Sequence, residues 1–142
     1  MDFIIHSRKA IEATSPPAVP HVVISITTSP TDEARIPPSP QCLGILRLAF
    51  FDSDLPPDEE GPDGLFSQSD ARRIWDFVFA HHGQLRCIVL HCNAGLSRSP
   101  GVATALAKVL RGDDQEFFLR FRPNRRVYLT LLAVYQAEYA TK

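Results

Sequence analysis

The segment Cys87–His91 (CIVLH) is an apolar run without alternation, and it limits how this chain can fold more than any other feature. Such a run predicts a strand that is covered on both faces. A glycine-containing loop follows, and then a helix pattern over Pro100–Leu110 that begins with proline at its first position. A buried strand that leads directly into a helix is typical of α/β proteins.

The rest of the chain continues the alternation of strands and helices. Further strands are predicted at residues 2–6, 21–27 and 43–51, and further helices at 7–13, 65–82, 113–120 and 125–139. We expect Ser69 or Ser67 to cap the helix over 65–82, and Gly83 to end it. A chain of 142 residues suits one domain with its own core. The prediction is an α/β fold, with a small central, mostly parallel sheet flanked by helices in a single domain over 1–142.

Composition and charge exclude several classes of protein. A formal net charge of −1 gives no basic field for nucleic acid or an anionic membrane. The three cysteines, Cys42, Cys87 and Cys92, form no CxxC pair, which disfavours a disulfide framework or a zinc site and favours a reducing compartment. The N-terminal apolar run is too short for a secretory signal, and no run of about 18 apolar residues is present. We expect a cytoplasmic protein that binds neither nucleic acid nor membrane.

Residues 88–100 (IVLHCNAGLSRSP) predict an anion site. A strand–loop–helix turn points successive backbone N–H groups into one concavity, which the positive end of the helix also faces. Cys92 lies at the base of this turn, where positive charge favours the nucleophilic thiolate. Arg98, at the rim, offers a planar fork that can grip two phosphate oxygens, and Ser99 can donate a hydrogen bond to the sulfur. We expect His91 to shape the loop through backbone carbonyls, without carrying protons.

The pattern HC-x5-RS from His91 to Ser99 resembles the signature of the protein tyrosine phosphatase superfamily, and its SRSP ending is similar to the dual-specificity branch. The segment Phe121–Asn124 (FRPN) resembles the RPN segment of the same branch. The resemblance runs from Leu43 to Tyr139, about two thirds of the chain. The compact length and the NRR that begins at Asn124 are most similar to small bacterial tyrosine-phosphatase-like proteins.

This resemblance implies a cysteine-dependent protein-tyrosine or dual-specificity phosphatase that needs no metal or cofactor. Cys92 would attack a phosphate monoester, and Ser99 would assist the departure of the sulfur. The phosphate would be bound by the backbone amides of the loop residues Asn93, Ala94, Gly95, Leu96, Ser97 and Arg98, and by the guanidinium group of Arg98. The expected partner is a phosphorylated protein or peptide, carrying phosphotyrosine and also phosphoserine or phosphothreonine. The chain is expected to act as a monomer.

The resemblance also implies a general acid, which is an aspartate on a loop that follows a strand upstream of the nucleophile. Asp52 is the first choice, because it directly follows the predicted strand in FFDSDLP. Asp54 stays the alternative, because alignment on the Pro56–Pro57 pair would move the acid along the chain. The interval from Asp52 to Cys92 is longer than the family's usual spacing, and the acidic segment 58–64 is the candidate insertion.

Other functions remain open on the sequence alone. Phosphoinositide or RNA 5′-phosphate hydrolysis uses the same chemistry, although the variable loop positions carry none of the lysines of inositide phosphatases. Arg122, Arg125 and Arg126 form either a basic rim or a solvated helix start. A pseudophosphatase that only binds phosphorylated partners would result if the long loop misplaced the acid. Rhodanese-like sulfur transfer also uses a cysteine loop, but Gly95 and Ser99 fit it poorly.

Overall fold

A four-stranded sheet in the order β1-β4-β2-β3 forms the centre of the computed structural model, which describes residues 1–59, 61 and 63–140. The strands are β1 (Asp2–Ser7), β2 (His21–Thr27), β3 (Cys42–Ala49) and β4 (Cys87–Cys92). All the neighbouring pairs are parallel. Every residue of β2 and β4 is buried, because each of these strands has a neighbour on both sides and helices or loops over its faces.

The described residues form five α-helices around this sheet. They are α1 (Arg8–Ala13), α2 (Gln68–His81), α3 (Arg98–Arg111), α4 (Gln115–Arg120) and α5 (Arg125–Glu138). The arrangement confirms the predicted α/β fold, a small parallel sheet flanked by helices. Among the described helices, none combines the length and the apolar character needed to cross a membrane.

The main core lies between the sheet and helices α2, α3 and α5. Trp75 of α2 is fully buried there, and its indole Nε1–H donates to the carbonyl oxygen of Leu131 at 2.9 Å. The predicted apolar stripe of α2 is correct except at Phe79, which is 40% exposed and stacks on Trp75. A smaller cluster that includes Ile11 and Val89 lies under α1 on the opposite face.

Several element boundaries differ from the prediction by one to three residues, among them those of α3, α2 and β3. Helix α3 begins at Arg98 rather than Pro100, because the carbonyl of Ser97 accepts the N–H of Gly101 at 2.9 Å and closes a turn around the proline. Gly83 does not end α2, which continues into a 3₁₀ turn over His82–Gln84. Strand β3 ends at Ala49, two residues before the predicted end at Phe51.

The cap of α2 is the predicted Ser67. Its hydroxyl accepts the N–H of Asp70 at 3.1 Å, and the Asp70 carboxylate accepts the N–H of Ser67 at 3.1 Å. This reciprocal capping box fixes where the helix begins and where the preceding acidic loop must end. Residues 60 and 62 of the predicted insertion lie outside the described residues. The loop of residues 93–97 after β4 is called the cysteine loop, and the loop after β3 that contains Asp52 is called the aspartate loop. Because the sheet is parallel, both loops lie at the same end of the sheet, where the strands have their carboxyl ends.

Candidate active site

The loop of residues 93–97 joins β4 to α3, and its carbonyl oxygens are held from outside the loop. The bonds run from Arg8 N–H to Asn93 O (3.0 Å), from Arg122 N–H to Leu96 O (3.1 Å), and from Asn124 N–H to Ser97 O (2.9 Å). In the described part of the chain, the N–H groups of residues 94–98 donate to no protein acceptor. Successive free backbone N–H groups beside a helix N-terminus form an anion-binding nest.

Gly95 lets this loop turn against the end of β1. Its φ angle is +72°, a conformation that side chains of other residues disfavour. A Cβ atom at this position would lie 2.8 Å from the carbonyl carbon and oxygen of His6. The glycine therefore meets two requirements at once, the left-handed backbone and the close approach to β1.

Cys92 ends β4 at the base of the loop and is 2% exposed. Its sulfur lies 3.1 Å from the hydroxyl oxygen of Ser99, in the first turn of α3. The next residue back, His91, is fully buried, with one ring nitrogen 3.2 Å from the Cys92 carbonyl oxygen and the other 2.6 Å from Ser25 Oγ. Burial lowers the pKa of His91, so the ring is neutral at pH 7, in line with a role in shaping the loop.

Arg98 lies inside the molecule rather than at the rim, where the sequence analysis expected it, and is 4% exposed. Its Nη1 donates to Thr28 Oγ1 and to the Phe50 carbonyl oxygen, each at 2.9 Å. Its Nε is buried and, among the described residues, has no hydrogen-bond partner. A buried donor left unpaired costs about 1–3 kcal/mol. Nη2 likewise has no hydrogen-bond acceptor in the part of the chain that the structure describes. The edge formed by Nε and Nη2 can therefore bind two oxygens of one phosphate.

Of the two candidate aspartates, Asp52 is the one that the structure brings to the loop. Its Oδ1 accepts a hydrogen bond from Ser97 Oγ at 2.8 Å and another from Asn124 Nδ2 at 2.9 Å. Asp54 points to a different place, where its Oδ1 accepts the backbone N–H of Arg125 at 2.6 Å. Within the described residues, Asp52 Oδ2 receives no hydrogen bond, so it is the oxygen available to carry a proton.

Asn124 is a site residue to which the sequence analysis gave no role. It is 2% exposed, and its Oδ1 caps α5 by accepting the N–H of Val127 at 3.0 Å. Its Nδ2 donates to Asp52 and, at 3.0 Å, to the carbonyl oxygen of Ser53. The RPN segment and the capping preference of asparagine signalled the helix start. The contact with Asp52, 72 positions earlier, carries no signal in the sequence.

Arg126 fastens the aspartate loop and does not belong to a basic rim. Its Nε donates to the Phe66 carbonyl oxygen at 3.0 Å, and its Nη1 donates to that of Pro56 at 3.1 Å. The carbonyl oxygens of Leu55 and Glu59 lie further from Nη1, at 3.4 Å. The long loop that raised the question of a misplaced acid is thus tied to the start of α5.

The other predicted binding residues follow one another along the loop and differ in their exposure to solvent. Asn93, Ala94 and Leu96 are exposed, whereas Gly95 is buried. Within the described residues, no group of three or more His, Cys, Asp or Glu side chains is placed to hold a metal ion.

No family model matches this sequence, and no curated protein matches it. Solved structures do. Human DUSP28 has a TM-score of 0.62 and 18% identity, over 99% of this chain and 95% of that chain. A human tyrosine phosphatase-like serine/threonine/tyrosine-interacting protein has a TM-score of 0.56 and 18% identity, over 85% of this chain and 78% of that chain. PTPMT1 in complex with PI(5)P has a TM-score of 0.53 and 15% identity, over 82% of this chain and 77% of that chain. Similarity at these identities lies in the fold, and this chain therefore has the fold of the dual-specificity phosphatases.

Proposed function

We propose that this chain is a cysteine-dependent phosphatase that hydrolyses phosphotyrosine, and also phosphoserine and phosphothreonine, on proteins. One observation carries the proposal. The buried Nε of Arg98 and the N–H groups of residues 94–98 have no acceptor in the described part of the protein. They belong to the turn that directly follows Cys92 and that returns at Ser99 to within 3.1 Å of its sulfur. A tetrahedral dianion supplies acceptors for all of these donors, whereas a neutral ligand would leave most of them unsatisfied.

In the first step, the thiolate of Cys92 attacks phosphorus in line with the leaving oxygen. The S–P bond forms as the P–O bond to the leaving group breaks, and Asp52 Oδ2 donates its proton to the departing oxygen. Ser97 and Asn124 hold the other carboxyl oxygen and so fix where the proton is delivered. The product is a cysteinyl-phosphate intermediate and a free hydroxyl group on the substrate.

In the second step, water attacks the phosphorus of the intermediate. The carboxylate of Asp52 takes a proton from the water, the S–P bond breaks, and inorganic phosphate leaves. Ser99 Oγ, 3.1 Å from the sulfur, donates a hydrogen bond that stabilises the departing thiolate. In both steps the charge on the equatorial oxygens meets donors that are already in place, which is the largest contribution of such a site to catalysis.

Hydrolysis of p-nitrophenyl phosphate by the purified protein tests this proposal. Cys92→Ser should lower kcat by more than about 1,000-fold, as the loss of a covalent nucleophile does. Cys42→Ser, a cysteine of β3 outside the site, is the matched control and should keep full activity. Vanadate should inhibit the wild-type protein in competition with substrate. Turnover that survives Cys92→Ser would exclude the mechanism.

A binding module and a phosphoinositide phosphatase remain the alternatives. A binding module would hold vanadate or a phosphopeptide, yet would turn over neither p-nitrophenyl phosphate nor the peptide. Phosphoinositide hydrolysis is less favoured, because the loop side chains of Asn93, Ala94, Leu96 and Ser97 offer no cation to the further phosphates of a headgroup. Comparison of phosphopeptides with phosphoinositide vesicles distinguishes these functions.

A further inference from the structure

A cavity of about 660 Å³ lies beside the cysteine loop. It shares Asp52 and Ser97 with the proposed catalytic machinery, and its other lining residues have no role in the steps above. The loop contributes Leu96 and Ser97 to its wall, α4 contributes Phe118, and the segment before and at the start of α5 contributes Arg122 and Arg125. A group that binds in this cavity would therefore lie next to a phosphate held in the loop.

One part of this cavity is apolar and faces solvent. Leu96 is 59% exposed and Phe118 is 50% exposed, and the neighbouring Leu119 is 86% exposed. The Phe118 ring is held by an edge-to-face contact with Tyr128, with ring centroids 5.4 Å apart. Large apolar side chains grouped on a surface beside a catalytic loop indicate a contact for an apolar group of a partner.

The other part of the cavity presents cations. Arg122 and Arg125 are exposed, and in the described part of the chain their guanidinium groups form neither a hydrogen bond nor an ion pair. Their backbones are nevertheless fixed, since their N–H groups donate to Leu96 O and to Asp54 Oδ1. Both side chains therefore extend from fixed backbone positions beside the loop, and within the described residues their cations are free to bind an anion.

We propose that this surface, Leu96, Phe118, Arg122 and Arg125, recognises the peptide that flanks the phosphorylated residue of a protein substrate. An apolar side chain of the peptide packs on Leu96 and Phe118, and a carboxylate pairs with the two arginines, which suit bidentate binding of carboxylates. The inference rests on the proposed phosphatase function and adds the substrate class: acidic phosphopeptides with an apolar neighbour.

Charge around the cavity favours a peptide over an anionic membrane. Asp52 and Asp54 line the same cavity, and the exposed Asp58 follows on the adjoining loop. These carboxylates would repel a broad negative surface, whereas a single carboxylate can bind on the arginine side alone. The positive charge that is free to bind a ligand is thus limited to Arg122 and Arg125, which suits one or two carboxylates of a peptide.

The test compares two phosphotyrosine peptides with p-nitrophenyl phosphate as a small reference substrate. One peptide carries glutamate and leucine beside the phosphotyrosine, and the other carries glutamine and serine. Wild-type protein should show a higher kcat/KM on the acidic, apolar peptide. Arg122→Glu and Arg125→Glu should each lower the ratio of kcat/KM on that peptide to kcat/KM on p-nitrophenyl phosphate by about three- to tenfold, the scale of an exposed ion pair replaced by repulsion.

Arg86→Glu is the matched control. Arg86 is also exposed and, within the described residues, forms no ion pair, but it precedes β4 at the opposite end of the sheet. It should leave the ratio unchanged. Raising the salt concentration to about 0.5 M should reduce the effect of Arg122→Glu and Arg125→Glu on the ratio, because salt screens exposed charges. Phe118→Ser should lower the preference for leucine over serine in the peptide.

Two results would overturn the inference: equal wild-type kcat/KM on both peptides, or faster turnover of phosphoinositide vesicles than of either peptide. Binding of the acidic phosphopeptide to Cys92→Ser protein separates this inference from the proposed function. If the wild-type protein turns over no substrate, the phosphatase proposal fails. In that case, weaker binding of the peptide to the double variant Cys92→Ser/Arg122→Glu than to Cys92→Ser would still support the recognition surface, and equal binding would refute it.

Discussion

Replacement of Asp52 by asparagine tests the assignment of the general acid with little disturbance of the structure. Asparagine keeps an acceptor oxygen for Ser97 Oγ and Asn124 Nδ2, the two groups that hold Asp52 Oδ1 at 2.8 and 2.9 Å. Only the proton on Oδ2 is lost. We therefore expect the free energy of unfolding to change by no more than about 1 kcal/mol, the net worth of one such hydrogen bond.

The effect on catalysis should depend on the leaving group. General acid catalysis contributes about 100- to 10,000-fold, and most when the leaving oxygen is a strong base. Asp52→Asn should therefore lower kcat/KM, which reports the steps up to departure of the leaving group, by a factor in that range on phenyl phosphate. It should lower kcat/KM on 2,4-dinitrophenyl phosphate by less than about tenfold, because that leaving group departs without a proton.

Asp54→Asn is the control, since Asp54 accepts the N–H of Arg125 at 2.6 Å and, among the described residues, forms no hydrogen bond with the cysteine loop. Its effect should be small and the same for every leaving group. A series of aryl phosphates, plotted as log kcat/KM against leaving-group basicity, gives the slope for each variant. The assignment would be refuted by a steeper slope for Asp54→Asn and an unchanged slope for Asp52→Asn.

Three further predictions follow from the supports of the site. Arg126→Met removes the donors to Phe66 and Pro56, so it should lower activity on phenyl phosphate more than on 2,4-dinitrophenyl phosphate; an equal loss on both would refute a positioning role. Gly95→Ala should lower the free energy of unfolding in urea by roughly 1–2 kcal/mol or more, from its φ of +72° and the nearby β1 backbone. Burial lowers the pKa of His91, so the unfolded chain binds a proton first as pH falls. Stability should thus decrease below about pH 6.5, and this slope should weaken in His91→Gln.

Sequence sufficed for those parts of the site that are neighbours along the chain. The apolar run of β4, Gly95 and the start of α3 together specify the turn, because each is a local backbone preference. The same proximity explains why the contact of Ser99 with the sulfur of Cys92 was predictable: the two residues flank one short loop, and their hydroxyl and sulfur lie 3.1 Å apart.

Tertiary structure decided how distant segments complete that turn. The cap preference of Asn124 is local, but its second bond reaches Asp52, and Arg126 reaches carbonyl groups 60 to 71 positions earlier. Arg98 was expected at the rim because its position was read from the loop alone, whereas Thr28 and Phe50 draw it inward. Backbone preferences are set by a residue and its immediate neighbours, so the sequence determined the phosphate-binding turn. Contacts between segments far apart in the chain depend on how whole elements pack. Only the folded chain could therefore place Asp52, rather than Asp54, against Ser97, and leave the guanidinium groups of Arg122 and Arg125 without a partner among the described residues.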